Sequence, residues 1–359
     1  MNRIKMAQQG VPDQVPIYGQ IHEFAMAQSG VSAKEFYTNG TLLVESIVET
    51  AQQYGLDDPH VDYDTYNIEA EAMGMEVRYY DHQAPQLVQS KPLIQEKSDL
   101  DHLRPPTPGE DGRMPFVVEV FEAYQKAVDT PKWHPSMSYT APFTLATRVR
   151  GVEAFLMDTV LDPSFVHAVL SFLTDEVLIP WIQMLKEVNK KDEPIVGGAD
   201  ALASPPLLKV EAMREFALPY LLRIRNACGW EGVVQNYWGE SIIDPPEILL
   251  DFKRDASPKV ILAMDPDVEK IGPEIFKRYV DRHGMTLTLG LGADFLAIAT
   301  PKQIKERIRK YIEVGGMGGK FLLYLCNAAA NTPPENLKAA VEAVQAYGVY
   351  ENGALKSAL

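Results

Sequence analysis

The stretch PKVILAMDPDVEKIGPEIFKRYVDRHGMTLTLG, residues 258–290, contains one complete copy of the pattern that decides the fold. Its apolar runs Val260–Met264 and Met285–Leu289 have the length of buried strands, and each is bounded by Gly, Pro or Asp. Between them, Ile271–Arg282 has apolar residues at helical spacing. A strand, a helix and a second strand in this order predict a parallel βα unit.

The same alternation recurs from residue 130 onward. The other strands predicted there are Ser136–Tyr139, Ile195–Gly198, Gly232–Tyr237 and Phe321–Cys326. The other helices predicted there are Pro163–Val188, Val210–Ala227, Pro245–Phe252, Pro301–Val314 and Pro334–Tyr347. Several helices begin with a capping residue and a proline, because the first turn has no partner for the N–H that proline lacks.

The N-terminal part adds two strand-like runs, Val15–Ile21 and Val61–Tyr66, and a polar segment, Glu76–Lys97, that resembles a hairpin. Eight strand candidates separated by helices favour a (β/α)8 TIM barrel over an open doubly wound sheet. The hairpin is an N-terminal excursion from this α/β barrel. No linker indicates a second domain, so we predict a single barrel domain over residues 1–359.

The composition is that of an acidic globular protein, with 34 Lys+Arg against 49 Asp+Glu and a formal net charge of −15. A surface of this sign does not attract phosphate or anionic lipid, so we expect no nucleic-acid and no membrane partner. The N-terminal residues lack the apolar region of a signal peptide, and we expect a cytoplasmic protein. Two cysteines are too few for a disulfide framework, but they do not forbid a metal with mixed ligands.

In a parallel barrel the active site lies at the carboxyl ends of the strands, so the residues that close each strand are the candidates. These candidates are Gln20, His22, Asp64, Tyr139, Asp200, Asn236, Trp238, Glu240, Asp265 and Cys326. A thiolate at Cys326 could bind zinc or act as a nucleophile, and the alternative is a small buried hydrophobic residue. Asp200 lies among small residues that let a ligand approach, and the alternative is a turn cap.

One further pattern lies in the N-terminal part of the chain. Acidic or imidazole side chains recur at every second position at Asp58, His60, Asp62 and Asp64. On an extended strand they would share one face and could collect a cation, whereas the alternative is a solvated acidic loop. Motifs of serine hydrolases, P-loop proteins, zinc peptidases and dinucleotide-binding folds are absent from the sequence.

Three segments carry a resemblance to a known family. Tyr139–Arg148, YTAPFTLATR, resembles the Gly-Pro-Phe-Thr-Leu segment of the uroporphyrinogen decarboxylase superfamily, and Asn331–Asn336, NTPPEN, resembles its C-terminal Pro-x-Glu-Asn helix start. With Glu69–Gly74, EAEAMG, the likeness spans most of the chain. It implies a (β/α)8 barrel whose cleft lies at the strand C-termini.

The superfamily contains two chemistries. Its decarboxylases carry an Arg-Gln-Ala-Gly-Arg motif whose arginines hold the many carboxylates of the substrate. The corresponding stretch here, Pro16–Ala25, PIYGQIHEFA, contains no arginine. Uroporphyrinogen decarboxylase activity, in porphyrin biosynthesis, is therefore the second hypothesis after corrinoid-dependent methyl transfer. A third is a non-catalytic barrel that binds a corrinoid protein.

Methyltransferases of this superfamily hold zinc with a His-x-Cys pair and a later cysteine near the Pro-x-Glu-Asn helix. Cys326 matches that later cysteine, but the chain reads Asn236-Tyr-Trp-Gly239 where His-x-Cys-Gly is expected. Either no zinc binds, or zinc is held by Cys326 with a carboxylate or imidazole such as Glu240, Asp200 or His22. Oxygen or nitrogen ligands beside a single thiolate suit an ether substrate better than a thiol, which favours O-demethylation.

The resemblance implies methyl transfer between a methylated or methoxylated small molecule and cobalamin. The cobalamin would be carried by a partner corrinoid protein, since this chain lacks the Asp-x-His-x-x-Gly motif of such carriers. The predicted catalytic residues are His22, Asp200 and Glu240, and the predicted zinc ligands are Cys326 and Glu240. The residues predicted to contact substrate are Tyr18, Tyr139, Asn236, Tyr237 and Trp238, with rim packing as the alternative for the aromatic ones.

Overall fold

The structure, a computed structural model, describes residues 2–128, 136–189, 195–229, 233–234 and 236–356. Its strands, in chain order, are β1 Ile17–Gly19, β2 Val77–Arg78, β3 Gln86–Leu87, β4 Ser136–Thr140, β5 Ile195–Ala199, β6 Val233–Val234, β7 Val260–Met264, β8 Thr286–Leu291, β9 Phe321–Leu325, β10 Tyr350–Glu351 and β11 Ala354–Leu355.

The α-helices are α1 Arg3–Gln9, α2 His22–Ser29, α3 Ala33–Phe36, α4 Gly40–Tyr54, α5 Ile68–Ala72, α6 Met114–Ala127, α7 Pro142–Arg150, α8 Val152–Leu161, α9 Pro163–Phe172, α10 Ile179–Asn189, α11 Val210–Phe216, α12 Leu218–Cys228, α13 Glu247–Ala256, α14 Asp267–Ile271, α15 Pro273–His283, α16 Ala293–Ile298, α17 Pro301–Gly315 and α18 Pro334–Tyr347. Three 3-10 helices, Thr65–Asn67, Lys97–His102 and Glu240–Ile242, and one π-helical segment, Leu173–Leu178, complete the described elements.

Two parallel sheets form the wall of the barrel. One has the strand order β1-β9-β8-β7 and the other β4-β5-β6. Residues 57–64 run between them, because Asp58 forms a parallel bridge with Tyr18 of β1 and the Tyr63 hydroxyl accepts a hydrogen bond from the Ser138 N–H of β4 at 2.7 Å. The seven strands and this segment provide the eight wall positions of a TIM barrel, as the sequence predicts.

The prediction of a strand over Val61–Tyr66 was wrong. The backbone of His60 and Asp64 has φ of 35° and 70°, in the left-handed region that interrupts an extended strand. A 3-10 helix then begins at Thr65. The polar side chains of this segment therefore do not share one face, and Asp62 and Asp64 reach different partners.

Other predicted elements are confirmed with adjusted bounds. The polar segment Glu76–Lys97 contains the antiparallel pair β2–β3. The predicted helix Val210–Ala227 is divided at Ala217, because Pro219 has no N–H to continue the helix and its ring clashes with the preceding turn. Of the predicted strand Gly232–Tyr237, residues 232 and 235 lie outside the described part of the chain.

Alternation along the strands separates two hydrophobic clusters. The larger lies between the strands and the surrounding helices and includes Phe321, Leu323 and Leu325 of β9. The smaller lies inside the barrel. Its members are Leu262, Met264 and Tyr324, with Tyr18 and Cys326 packed against them. The barrel interior is therefore apolar below its polar mouth, by which we mean the carboxyl ends of the strands.

The continuous helical stretch Pro163–Val188 is long and apolar enough to cross a membrane by length and composition, with a mean hydropathy of 1.5. In this protein 56% of the apolar 18-residue window within that stretch is buried against the rest of the chain. Trp181, Ile182 and Leu185, for example, have no exposed surface. This packing is typical of a core helix in a soluble protein.

Glu69 fastens α5 to the end of β4. Its side chain is fully buried and accepts hydrogen bonds from the Thr140 N–H at 3.2 Å and the Thr140 hydroxyl at 2.8 Å. Burial raises the pKa of Glu69 to about 7, although the hydrogen bonds from Thr140 lower it in part. The first glutamate of the EAEAMG segment therefore has a structural contact inside the fold.

Replacing this carboxyl should change how stability depends on pH. The folded protein holds the Glu69 proton up to about pH 7, whereas the unfolded chain releases it near its ordinary pKa of 4.5. Its contribution to the free energy of unfolding therefore falls by about 3 kcal/mol as pH rises through that interval. Glu69→Gln should flatten this slope in urea titrations between pH 4.5 and 7.5, and the exposed control Glu153→Gln should not. Equal slopes in wild type and Glu69→Gln would contradict the assignment.

Candidate active site at the mouth of the barrel

Asp200 connects the carboxyl ends of three neighbouring strands. It follows β5 and is fully buried. Its Oδ1 accepts a hydrogen bond from the Thr144 N–H in the first turn of α7 at 2.9 Å, and its Oδ2 accepts one from the Tyr237 hydroxyl at 3.1 Å. Its own N–H donates to Asn236 Oδ1 at 2.8 Å. One carboxyl thus joins β5 to the helix after β4 and to the loop after β6.

Burial raises the pKa of Asp200 to about 6, while the hydrogen bonds from Thr144 and Tyr237 lower it in part. A carboxyl with this pKa exchanges its proton near neutral pH, which is the property of a general acid or base. Tyr139, at the end of β4, and Tyr237 are both buried beside it. Burial and the neighbouring Asp200 raise the pKa of both phenols well above their usual value, so they remain protonated donors.

The Asp200 cluster continues through Asn236 to two residues that the sequence analysis missed. Asn236 Nδ2 donates to the Tyr66 hydroxyl at 2.8 Å. The guanidinium of Arg148 lies over the Tyr66 ring, 6.0 Å from its centroid. Arg148 ends the quoted segment YTAPFTLATR, but its sequence position alone does not show that it faces a cleft.

A second polar cluster surrounds Asp62. Gln20, just after β1, donates to Asp62 Oδ2 at 2.5 Å. His22 begins α2 and is buried, and its Nδ1 has no hydrogen-bond partner among the described residues. Burial raises the pKa of Asp62, but the nearby His22 and His60 and the Gln20 amide outweigh it and hold that pKa below its usual value. An ionised Asp62 beside imidazoles forms a pair that can hold and move a proton.

Cys326 lies next to this second cluster, inside the mouth. Cys326 packs against the small cluster of Leu262, Met264 and Tyr324. The rings of Tyr18 and Tyr324 lie 6.0 and 6.2 Å from the His60 ring between centroids. Burial, with a contribution from Asp265, raises the pKa of the thiol to about 11. Without a cation beside it, this thiol is protonated at neutral pH.

Glu240 forms a buried ion pair with Lys253. Its side chain is 1% exposed and accepts a hydrogen bond from the ammonium of Lys253 on α13, which is 3% exposed. Lys253 Nζ also donates to the Leu262 carbonyl of β7 at 2.8 Å. The pair therefore links the loop after β6 to β7. Its contacts favour a structural role and do not support the prediction of Glu240 as a catalytic residue or zinc ligand.

Two other strand-end carboxyls bind to arginines on helices. Asp64 accepts from Arg113 at the start of α6, and Asp265 Oδ2 accepts from Arg307 of α17 at 2.8 Å. Trp238, in contrast, is 38% exposed at the rim of the mouth. Position at a strand end thus does not by itself place a side chain in the cleft.

The donors that the structure describes do not fit zinc. Across the described ranges no three His, Cys, Asp or Glu side chains lie close enough to hold a metal ion. At the two other positions of the resembled ligand set, Asn236 donates to Tyr66, and Trp238 offers no metal-binding atom. Zinc therefore stays a prediction from the sequence.

Comparison with known proteins identifies the family of this chain. The uroporphyrinogen decarboxylase (URO-D) family matches residues 2–347, and the chain belongs to this family. The chain is similar to the methylated-thiol–coenzyme M methyltransferase of Methanosarcina mazei, with 29% identity over 245 residues. That match covers 65% of this chain and 59% of the length of the relative.

A solved structure shows the same fold. A methyltransferase from Methanosarcina mazei superposes with a TM-score of 0.78 at 22% sequence identity. The superposition covers 95% of this chain and 96% of the other. The α/β barrel with its N-terminal hairpin is thus a fold of the URO-D family.

The Glu240–Lys253 pair yields a prediction that separates structure from catalysis. Glu240→Gln leaves the buried ammonium without its counter-charge and should lower the free energy of unfolding by about 3–5 kcal/mol. The double variant Glu240→Gln/Lys253→Met should recover a large part of this loss, because no unpaired charge remains. Urea denaturation of the two variants measures both effects. An unchanged stability in Glu240→Gln would remove the structural assignment.

Proposed function

We propose that this protein is a methyltransferase that moves a methyl group between a methylated or methoxylated small molecule and cobalamin held by a partner corrinoid protein. The observation that carries the proposal is the charge of the mouth. Among the described residues of the two polar clusters, Arg148 is the one arginine without an ion pair. A decarboxylase of polycarboxylated tetrapyrroles needs several such arginines. The similarity to methyltransferases of Methanosarcina mazei supports the same choice.

The cofactor would supply a nucleophilic cobalt that takes the methyl group, and the chain's residues would control the proton. When the bond from carbon to the heteroatom breaks, the electron pair stays on the oxygen or sulfur, which then needs a proton. We assign this proton to His22, whose imidazole lies near the ionised Asp62. In the reverse direction the same imidazole would accept the proton from the alcohol or thiol.

The other cluster would position the substrate. Asp200, Tyr237 and Asn236 form a hydrogen-bonded wall that is fixed before the substrate arrives. The apolar surface of Tyr18, Tyr324 and Cys326 would receive the methyl end and exclude water from it. Glu240 is given no part in these steps, because its Oε1 forms a buried ion pair with the Lys253 ammonium.

The rim of the mouth is suited to a protein partner. Large apolar side chains on the loops after β5 and β6 remain solvent-exposed, namely Leu207 at 47%, Trp238 at 38% and Ile242 at 56%. Exposed apolar side chains grouped around a cleft are typical of interaction sites. A corrinoid protein docked there would bring its cofactor over the polar clusters. A cytoplasmic location remains part of the proposal, in agreement with the acidic composition and the two free cysteines.

The test is a methyl-transfer assay with free cob(I)alamin and a panel of methoxylated and methylthio compounds. Wild type should consume cob(I)alamin with at least one of them, and His22→Asn should lower kcat by about 10²- to 10⁴-fold, because the leaving atom loses its proton donor. His102→Asn, a change of the same type on an exposed residue, is the control and should leave kcat unchanged.

Two contrary results are informative. Decarboxylation of a porphyrinogen without any methyl transfer would replace the proposal with the second hypothesis. Ligand binding without any turnover would favour the non-catalytic barrel. Repeating the assay with added zinc, in wild type and in Cys326→Ser, tests the zinc prediction separately.

A further inference from the structure

Arg148 is a partly buried cation whose charge the protein does not neutralise. Its Nε is shielded from solvent and has no hydrogen-bond partner in the described part of the chain. Its contact is with the face of Tyr66. Burial lowers the pKa of Arg148, while nearby Tyr66 and Asp64 raise it in part, but a guanidinium stays charged in proteins. An unpaired charge in this environment is unfavourable unless a ligand compensates it.

The neighbouring charged residues have partners, so the lack of an ion pair is specific to Arg148. Asp64, whose charge acts on Arg148, is already occupied by Arg113 and by Asn67, whose Nδ2 donates to it at 2.6 Å. Two residues further along α7, Arg150 forms the ion pair that Arg148 lacks. Its Nε donates to Asp158 at 2.9 Å.

The position of Arg148 directs this charge to the candidate active site. The guanidinium is stacked on Tyr66, the Tyr66 hydroxyl accepts from Asn236, and Asn236 accepts from the N–H of Asp200. These contacts connect the end of α7 to the loops after β5 and β6. An anion bound by Arg148 would therefore lie beside the predicted substrate-contacting residues.

We propose that Arg148 binds a carboxylate of the substrate, so that the small molecule is a carboxylic acid carrying the methyl or methoxy group. The carboxylate part of the inference rests on the contacts above, and only the methyl part rests on the proposed function. A guanidinium and a carboxylate form two parallel N–H···O bonds, and the Tyr66 ring keeps the guanidinium plane in place. Hydrogen bonds of this kind change affinity by about tenfold to a hundredfold.

The binding test uses thermal unfolding of the full chain with defined probes. The probes are sodium acetate, sodium methoxyacetate, sodium 2-methoxyethanesulfonate, sodium chloride and the neutral methoxyacetamide, all at equal ionic strength. The carboxylates should raise the Tm of wild type above its value in chloride or amide, since a ligand that binds the folded state stabilises it. In Arg148→Gln this shift should disappear or require at least tenfold more ligand. A shift with the sulfonate and none with either carboxylate would overturn the carboxylate assignment.

A second measurement needs no ligand. Arg148→Gln removes an unpaired charge, so its Tm in chloride should equal or exceed that of wild type. Arg150→Gln, the matched control on the same helix, breaks an ion pair and should lower the Tm while keeping the carboxylate shift.

Two outcomes would overturn the proposal. The first is a Tm shift by carboxylates that is equally large in wild type and in Arg148→Gln. The second is a Tm loss in Arg148→Gln as large as that in Arg150→Gln, together with no Tm shift by carboxylates in wild type. Neither experiment contains cobalamin, so a failure of methyl transfer would not be confused with a failure of this proposal.

Discussion

The buried carboxyl of Asp200 is the constraint on which the mouth of the barrel depends. Its oxygens are bound by the first turn of α7 and by Tyr237, and its N–H by Asn236. Because these partners follow β4 and β6 while Asp200 itself follows β5, Asp200 fixes the relative positions of the segments after three neighbouring strands. Burial of the Asp200 carboxyl among these partners also raises its pKa to about 6.

The mouth divides into two clusters of different electrostatic character. Around Asp62, an ionised carboxylate and two imidazoles can hold a mobile proton. Around Asp200, neutral donors lie near the unpaired Arg148, which we propose binds an anionic group of the substrate. Proton transfer would thus come from one cluster and substrate orientation from the other. The apolar surface that includes Cys326 lies beside the Asp62 cluster, because Tyr18 and Tyr324 contact both.

Much of this architecture is predictable from the sequence, because hydrophobic periodicity reports which face of each element is buried. The strands β7, β8 and β9 and their helices follow from that pattern, and the hairpin follows from turn-rich polar residues. Local strain is not visible in this way. The positive φ of His60 and Asp64 converted a predicted strand, Val61–Tyr66, into an irregular segment.

Hydrophobic periodicity also does not show which distant side chains pair with each other. Glu240 is a reasonable strand-end candidate until Lys253, 13 residues later, is seen to bind it. The converse holds for Arg148, which was not a candidate in the sequence analysis. It ends a family-like segment, and only the structure shows that its helical neighbour Arg150 is paired while it is not. Both cases concern charge compensation, which depends on three-dimensional contacts.

The central claim is that this barrel transfers a methyl group as an intact unit. The most direct measurement is mass spectrometry of the cobalamin product after turnover with a methoxylated carboxylic acid whose methyl group carries three deuterium atoms. The account predicts methylcobalamin that retains all three deuterium atoms, together with the demethylated acid in equal amount. Cobalamin without the label, or an acid that loses carbon dioxide and keeps its methyl group, would contradict it.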